Sequence, residues 1–218
     1  MNLECANILE SINGLDTEDK LIEWVRSTAG SSNVDYFMCE KSGGLKLQQV
    51  PEEYASVLFE IKSLNPKSYL EIGIGNGGSW MTCSYFLRNT LERSVAVDNL
   101  AYYQAINQKL EEIEFVENFL SSFINEVKFF NSDSKQFLDQ HYEKYDVIFI
   151  DGDHGYNGVK EDFKKSIKNI NEGGAMIFHD TVSIGAPGVV QFWNEIKDQY
   201  KSKEFIHSNT CGMGIIYF

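Results

Sequence analysis

Ser68–Trp80, SYLEIGIGNGGSW, reads as a short strand that runs without pause into a glycine loop and then a helix. Outward from it, Pro51 precedes Glu52 and Glu53, a composition that suits a first helical turn. Tyr54, Val57, Leu58 and Ile61 follow at the spacing of one helix face, and Pro66 closes that stretch. On the other side, Trp80, Cys83, Leu87 and Leu91 continue at helical spacing, and residues 94–98 (SVAVD) form a second, β-branched strand. A long helical region to about residue 125 leads to a third strand at 127–130. The fourth, residues 145–150 (YDVIFI), is almost continuously apolar, as expected of a strand buried on both faces in a parallel sheet. A helical stripe (Val159, Phe163, Ile167, Ile170) stopped by Gly173 and Gly174, a fifth strand at 175–178, a helix from Pro187 and two last strands at 205–207 and 214–218 complete the order. Alternation of this kind predicts right-handed βαβ crossovers, a doubly wound parallel sheet and a terminal strand pair.

Residues 1–46 contribute no strand. Residues 19–25 (DKLIEWV) predict a helix, so 1–46 are expected to form a helical appendage or lid on a domain spanning 47–218. The chain has 218 residues and a net charge of −13, with 43% hydrophobic and 23% charged residues. That balance is globular. The negative charge argues against a phosphate-backbone binder and against an anionic membrane surface, so neither nucleic acid nor membrane is expected as partner. The N-terminus lacks the basic start of a signal peptide, and no apolar run approaches the ~20 residues of a membrane span. A cytoplasmic protein is expected. The four cysteines, Cys5, Cys39, Cys83 and Cys211, form no CxxC pair and read as scattered reduced thiols.

In an open α/β sheet, ligands bind beyond the carboxyl ends of the strands, at the switch point. The glycine loop lies there. Gly73, Gly75 and Gly78 satisfy GxGxxG, and Asp98 ends the second strand, where an acid binds ribose hydroxyls. Loop and acid indicate an adenosine-type ligand without separating NAD from other nucleosides. Glu71, two residues before the first glycine, is well placed for an ammonium and badly placed for a pyrophosphate. Asp133, with Ser134 beside it, suits either an adenine amine or a helix N-cap.

The ordered set LEIGIGNGG, Asp98, Asp133 and a terminal strand pair resembles the class I S-adenosylmethionine-dependent methyltransferases. LQQVPEEY, IDGDHGYNGVKEDF and GGAMIFHDT resemble more narrowly the group that contains cephalosporin-hydroxylase-like and macrocin-type O-methyltransferases. The resemblance implies a seven-stranded, mostly parallel, Rossmann-like sheet with the last strand antiparallel. It implies that Glu71, Gly73, Gly75, Asn76, Gly77, Asp98, Asn99, Asp133, Ser134 and Asp151 hold S-adenosylmethionine. In catechol-type O-methyltransferases a divalent metal is held by an acid after the fourth strand and an Asp-Asn pair after the fifth. By that resemblance Asp151, His179 and Asp180 hold a divalent ion, magnesium, manganese or similar, although a histidine is less natural for magnesium. A strand-end hydrogen-bond cluster is the other reading of these three. His154, with an imidazole's ordinary pKa of about 6.5, is the candidate general base beside Asp151, or else a structural histidine at the helix start. The expected activity is O-methylation of a small hydroxylated substrate, with homo-oligomerisation open. An NAD(P)-binding oxidoreductase and a non-catalytic nucleoside-binding protein are the rival classes. His141, His207 and the Trp193 stripe read as structural; Tyr102 and Tyr103 either line an adenine pocket or are exposed helix aromatics.

Overall fold

A computed structural model describes residues 15, 17–29, 47–75, 77–102, 106–207 and 209–218. Asn76 and Tyr103, and most of residues 1–46, lie outside the described residues, as does the side chain of Tyr102. Among the described residues the first helix, α1 (Glu18–Ala29), contains the helix expected over 19–25 and packs on α2 (Pro51–Lys62). Then come β1 (Ser68–Ile72), α3 (Gly78–Phe86), β2 (Arg93–Asp98), α4 (Ile106–Leu120), β3 (Glu126–Asn131), α5 (Ser134–Gln140) and β4 (Tyr145–Ile150). The chain closes with α6 (Tyr156–Ser166), β5 (Ile170–His179), α7 (Pro187–Ile196), β6 (Lys201–Phe205) and β7 (Met213–Tyr217).

The strands form one seven-stranded sheet in the order β3-β2-β1-β4-β5-β7-β6. β1 to β5 are mutually parallel, and β7 runs antiparallel to both β5 and β6. Strand order reverses between β1 and β4, so the switch point opens between the ends of those two strands. Alternate side chains feed two cores. Tyr69, Ala96, Val147, Phe149, Ile177 and Ile215 face α1 to α4. Leu70, Val95, Val97, Ile148, Ile150 and Phe178 face α5 to α7. The expected doubly wound, mostly parallel sheet is therefore present, with β7 the antiparallel strand.

Local boundaries depart from the periodicity in several places: α3 ends at Phe86, so Leu91 lies beyond it, and α4 ends at Leu120. Ile170 belongs to β5 and not to the preceding helix, and Gly173 and Gly174 lie inside that strand. The β4–β5 register shifts between Tyr145 and Val147, and Gly173 takes φ +79°, so the glycines accommodate an irregularity in the sheet. The sixth strand lies at Lys201–Phe205, earlier than residues 205–207, because Tyr200 is already extended after α7. Among the described residues no helix is long and apolar enough to cross a membrane.

Candidate active site

The carboxyl ends of β1, β2 and β4 surround a cleft of about 610 Å³, within the range of a small-molecule site. Gly73 leaves β1 with φ +80°, and its amide donates to the Val97 carbonyl at 2.9 Å. A Cβ on Gly73 would lie 2.3 Å from the Asp151 carbonyl oxygen, so only glycine lets the loop pass the end of β4. Gly75 and Gly77 also take positive φ, and Gly77 caps α3.

Asp98, at the end of β2, lines the cleft and accepts the Ile74 and Gly75 amides through Oδ2, each at 3.0 Å. One carboxylate thus holds the glycine loop in shape at the place expected to meet ribose. Asp133 lines the same cleft, and it is also the N-cap of α5, with Oδ1 accepting from the Lys135 and Gln136 amides at 2.9 and 3.1 Å. The capping alternative is therefore realised at a residue that remains exposed to the cleft. Ser134 donates to buried Asp162 at 2.6 Å, and Asn99 accepts from the Ala101 amide; both line the cleft.

Glu71 sits differently from the expectation. It projects into the core behind the loop, fully buried, and is not among the cleft-lining residues. Tyr69 and Ser79 donate to its carboxylate, and Ser79, not Glu71, reaches the cleft. Alternation explains this: Glu71 shares the strand face of Tyr69, which points into the core under α1 to α4. Burial raises its pKa to about 8, against the two hydrogen bonds that favour its charged form.

The second half of the site follows β4 and β5. Asp151 lines the cleft, and its backbone amide donates to Ile72, which ties the end of β4 to β1. Its Oδ1 lies 3.1 Å from His179 Nδ1 and 3.9 Å from His154 Nε2. Asp180 Oδ2 lies 3.5 Å from both imidazoles. His154 is half-exposed and lines the cleft, whereas His179 and Asp180 are buried. Asp180 takes φ +62°, a left-handed conformation that an Asp adopts only against some strain. Burial alone would lower the His179 pKa; the Asp151 carboxylate, with Cys211 and Asp180 beside the ring, carries it well above the usual histidine range. All four expected residues of this half therefore converge. Asp151, His154 and Asp180 bring ligand atoms to within 4.8 Å of one another, and of these Asp151 and His154 line the cleft.

Sequence reasoning missed Gln49. It is buried, its Nε2 donates to Asp151 Oδ2 at 2.8 Å, and its Oε1 has no hydrogen-bond partner. Gln48 and Lys135 also line the cleft. The LQQVP segment carried the signal for the glutamines, as part of a matching motif and not as site residues.

The sheet order, the antiparallel β7 and the cleft at the switch point define a class I S-adenosylmethionine-dependent methyltransferase fold. Residues 70–181 match the family described as "Methyltransferase domain", and the chain belongs to that family. An uncharacterized protein, R132, of Acanthamoeba polyphaga mimivirus is 33% identical over 117 residues, 52% of this chain and 51% of R132. The chain thus matches about half the length of that relative. In overall shape it is similar to an O-methyltransferase from Bacillus cereus solved in complex with SAH, at TM-score 0.57 and 20% identity, covering 97% of this chain and 96% of that one. It is also similar to the SAH-bound Podospora anserina methyltransferase PaMTH1, at TM-score 0.60 and 13% identity, covering 100% and 97%.

Proposed function

We propose that the protein transfers a methyl group from S-adenosylmethionine to a hydroxyl of a small molecule, with a divalent ion at the β4–β5 end of the cleft. The observation that carries this reading is one cleft with two unlike walls. Asp98 and Asp133 stand on the β2–β3 side, and Asp151 and His154 stand on the β4 side. The cofactor fits the first wall. The glycine loop has room for backbone approach, and two carboxylates offer acceptors for a ribose diol and an adenine amine. A divalent ion fits the second, where Asp151 Oδ1 and Asp180 Oδ2 lie 3.1 and 3.5 Å from His179 Nδ1.

When bound, S-adenosylmethionine supplies an electrophilic methyl on sulfur, and a divalent ion supplies positive charge that acidifies a nearby hydroxyl. The chain's own residues do the rest. Asp98 orients the ribose while keeping the loop closed around it. Ser79, backed by Glu71, presents a polar group at the loop's helix end. Asp151 and Asp180, with His179, would hold the ion, and Gln49 holds Asp151. His154 takes the substrate proton at Nε2, because it is the imidazole open to the cleft. In-line transfer otherwise needs mainly positioning, which the rigid strand ends provide.

The test is release of S-adenosylhomocysteine with pooled sugars, phenols and hydroxy acids, with and without manganese. Methyl transfer to a hydroxyl that strengthens with manganese supports the reading. Transfer only to nitrogen substrates, at a rate indifferent to metal and chelator, would overturn it.

A further inference from the structure

Behind the ion-binding residues of the cleft lies a second donor set. His179, Asp180 and Cys211 each bring one ligand atom to within 4.8 Å of the others, and all three are buried. The Cys211 thiol is free. His179 Nε2 is buried and makes no hydrogen bond, and the neighbouring Thr181 Oγ1 is in the same condition. Buried polar atoms are ordinarily paired, and here an unpaired imidazole nitrogen belongs to a ring grouped with a thiol and a carboxylate, a donor set suited to a cation.

The position of Cys211 is built in. The Val182 amide donates to the Cys211 carbonyl at 2.9 Å and the Thr181 amide to the Gly212 carbonyl at 3.2 Å, which pins the loop before β7 against the segment after β5. Glu53, buried at the start of α2, accepts the Gly212 and His207 amides, each at 2.9 Å, and fixes the same loop from the other side. Gly212 takes φ +72°, and a Cβ there would lie 2.8 Å from Thr181 Oγ1, so the close approach depends on a glycine. The sheet register adds to this, because His179 pairs with Met213 across β5 and β7.

We infer that His179, Asp180 and Cys211 form a buried seat for a thiophilic divalent cation of the zinc class, distinct in ligand chemistry from the seat open to the cleft. A thiolate, an imidazole and a carboxylate are the donors that borderline metals select, whereas magnesium and manganese prefer oxygen. Binding displaces the Cys211 thiol proton and the proton of the His179 imidazolium, and the thiolate and carboxylate together balance two positive charges inside the protein. Asp180 belongs to both donor sets. An ion in the buried seat therefore takes the carboxylate that His154 and the cleft seat use, and the His179 ring with it, so a zinc-class ion there competes with an ion at the cleft. This inference deepens the proposed function at its own ion site, and it stands on a reading that does not need a substrate.

The test adds stoichiometric Co(II) to the full-length protein and records its absorption spectrum. The expected result is a near-ultraviolet thiolate-to-cobalt charge-transfer band, abolished by zinc and untouched by magnesium. The band should be lost in Cys211→Ser and in His179→Gln and kept in His154→Ala. Zinc affinity should fall more than about 100-fold in Cys211→Ser, beyond the ~10–100-fold typical of losing an outer-shell partner. Wild-type protein that fails to bind cobalt, or binds it without the band, overturns the inference whatever the variants do. So does a band that survives in Cys211→Ser or vanishes in His154→Ala. S-adenosylhomocysteine binding by Cys211→Ser, measured in parallel, should match wild type. Wild-type protein that binds S-adenosylhomocysteine but gives no cobalt band overturns this inference alone, and wild-type protein that gives the band but binds no S-adenosylhomocysteine overturns the methyltransferase reading alone.

Discussion

The two walls of the cleft differ in where their polar groups find partners. On the β2–β3 wall, side chains bind the chain that carries them: Asp98 takes the loop amides, Asp133 caps α5, and Ser134 pairs with Asp162. On the β4–β5 wall, side chains converge on one another, and Gln49 Oε1, His179 Nε2 and Thr181 Oγ1 are left buried without partners. The first wall is a shaped receptor whose groups also hold a loop together. The second is a set of donors held close at a cost to folding, since each unsatisfied buried group costs about 1–3 kcal/mol. The contrast suits a wall that recognises a fixed cofactor and a wall that handles charge during a reaction.

The walls meet at Gly73, and there the contrast can be broken most severely. Gly73→Ala places a Cβ against the backbone of Asp151 and Gly152 at a positive φ. Strain and overpacking together should cost about 2–6 kcal/mol. Thermal melting of the variant should fall steeply, and any folded fraction should lose cofactor and metal binding together. Loss of one ligand alone would show that the two walls are not mechanically joined.

His154→Ala sharpens the difference between walls. Turnover should drop ~10²–10⁴-fold, the usual loss for a general base, while S-adenosylhomocysteine affinity stays within about twofold. Manganese affinity decides between the two parts open to this residue. Retained metal with lost turnover fits a base, and lost metal makes His154 a ligand, in keeping with its place 3.5 Å from Asp180.

A smaller effect is expected behind the loop. Glu71 has its folded pKa raised to about 8, so the folded protein holds a proton there that the unfolded chain releases near the ordinary carboxylate pKa. The native state binds more protons between those values, so this group's contribution is full at low pH and is lost as pH rises towards 8. Glu71→Gln, which mimics the neutral form, should flatten the pH dependence of chemical unfolding by on the order of 1–3 kcal/mol between about pH 5 and 8. An unchanged pH slope would mean that Glu71 is ionised in the folded protein.

Legibility in the sequence followed locality. The strand YDVIFI and the glycine loop were readable because continuous apolar runs and GxGxxG are local signals, and β4 occupies the expected residues. Ile170 misled because a β-branched residue at helical spacing fits either element, and the sheet irregularity at Gly173 and Gly174 is set by pairing with β4. Glu71 was located on its strand correctly, but its direction depends on which face of β1 meets α1 to α4, a tertiary fact. The convergence of Asp151, His154, His179 and Asp180 was readable because each closes a strand or opens the loop after it. The approach of Gln49 to Asp151 and of Cys211 to His179 was not, since each comes from a segment distant in sequence and lacks a spacing that points to it. Cys211 in particular comes beside His179 only through the antiparallel pairing of β7 with β5.

The glycine loop and Asp98 suit S-adenosylmethionine and not a nicotinamide dinucleotide. Titration calorimetry with S-adenosylhomocysteine and with NAD, on wild type and Asp98→Ala, tests it without a known substrate. The account predicts that wild type binds S-adenosylhomocysteine and shows no heat with NAD. Asp98→Ala should lose about 1.5–3 kcal/mol of that binding, the range for hydrogen bonds to a charged group. Binding of NAD with no response to S-adenosylhomocysteine, or equal affinity in wild type and Asp98→Ala, would contradict it.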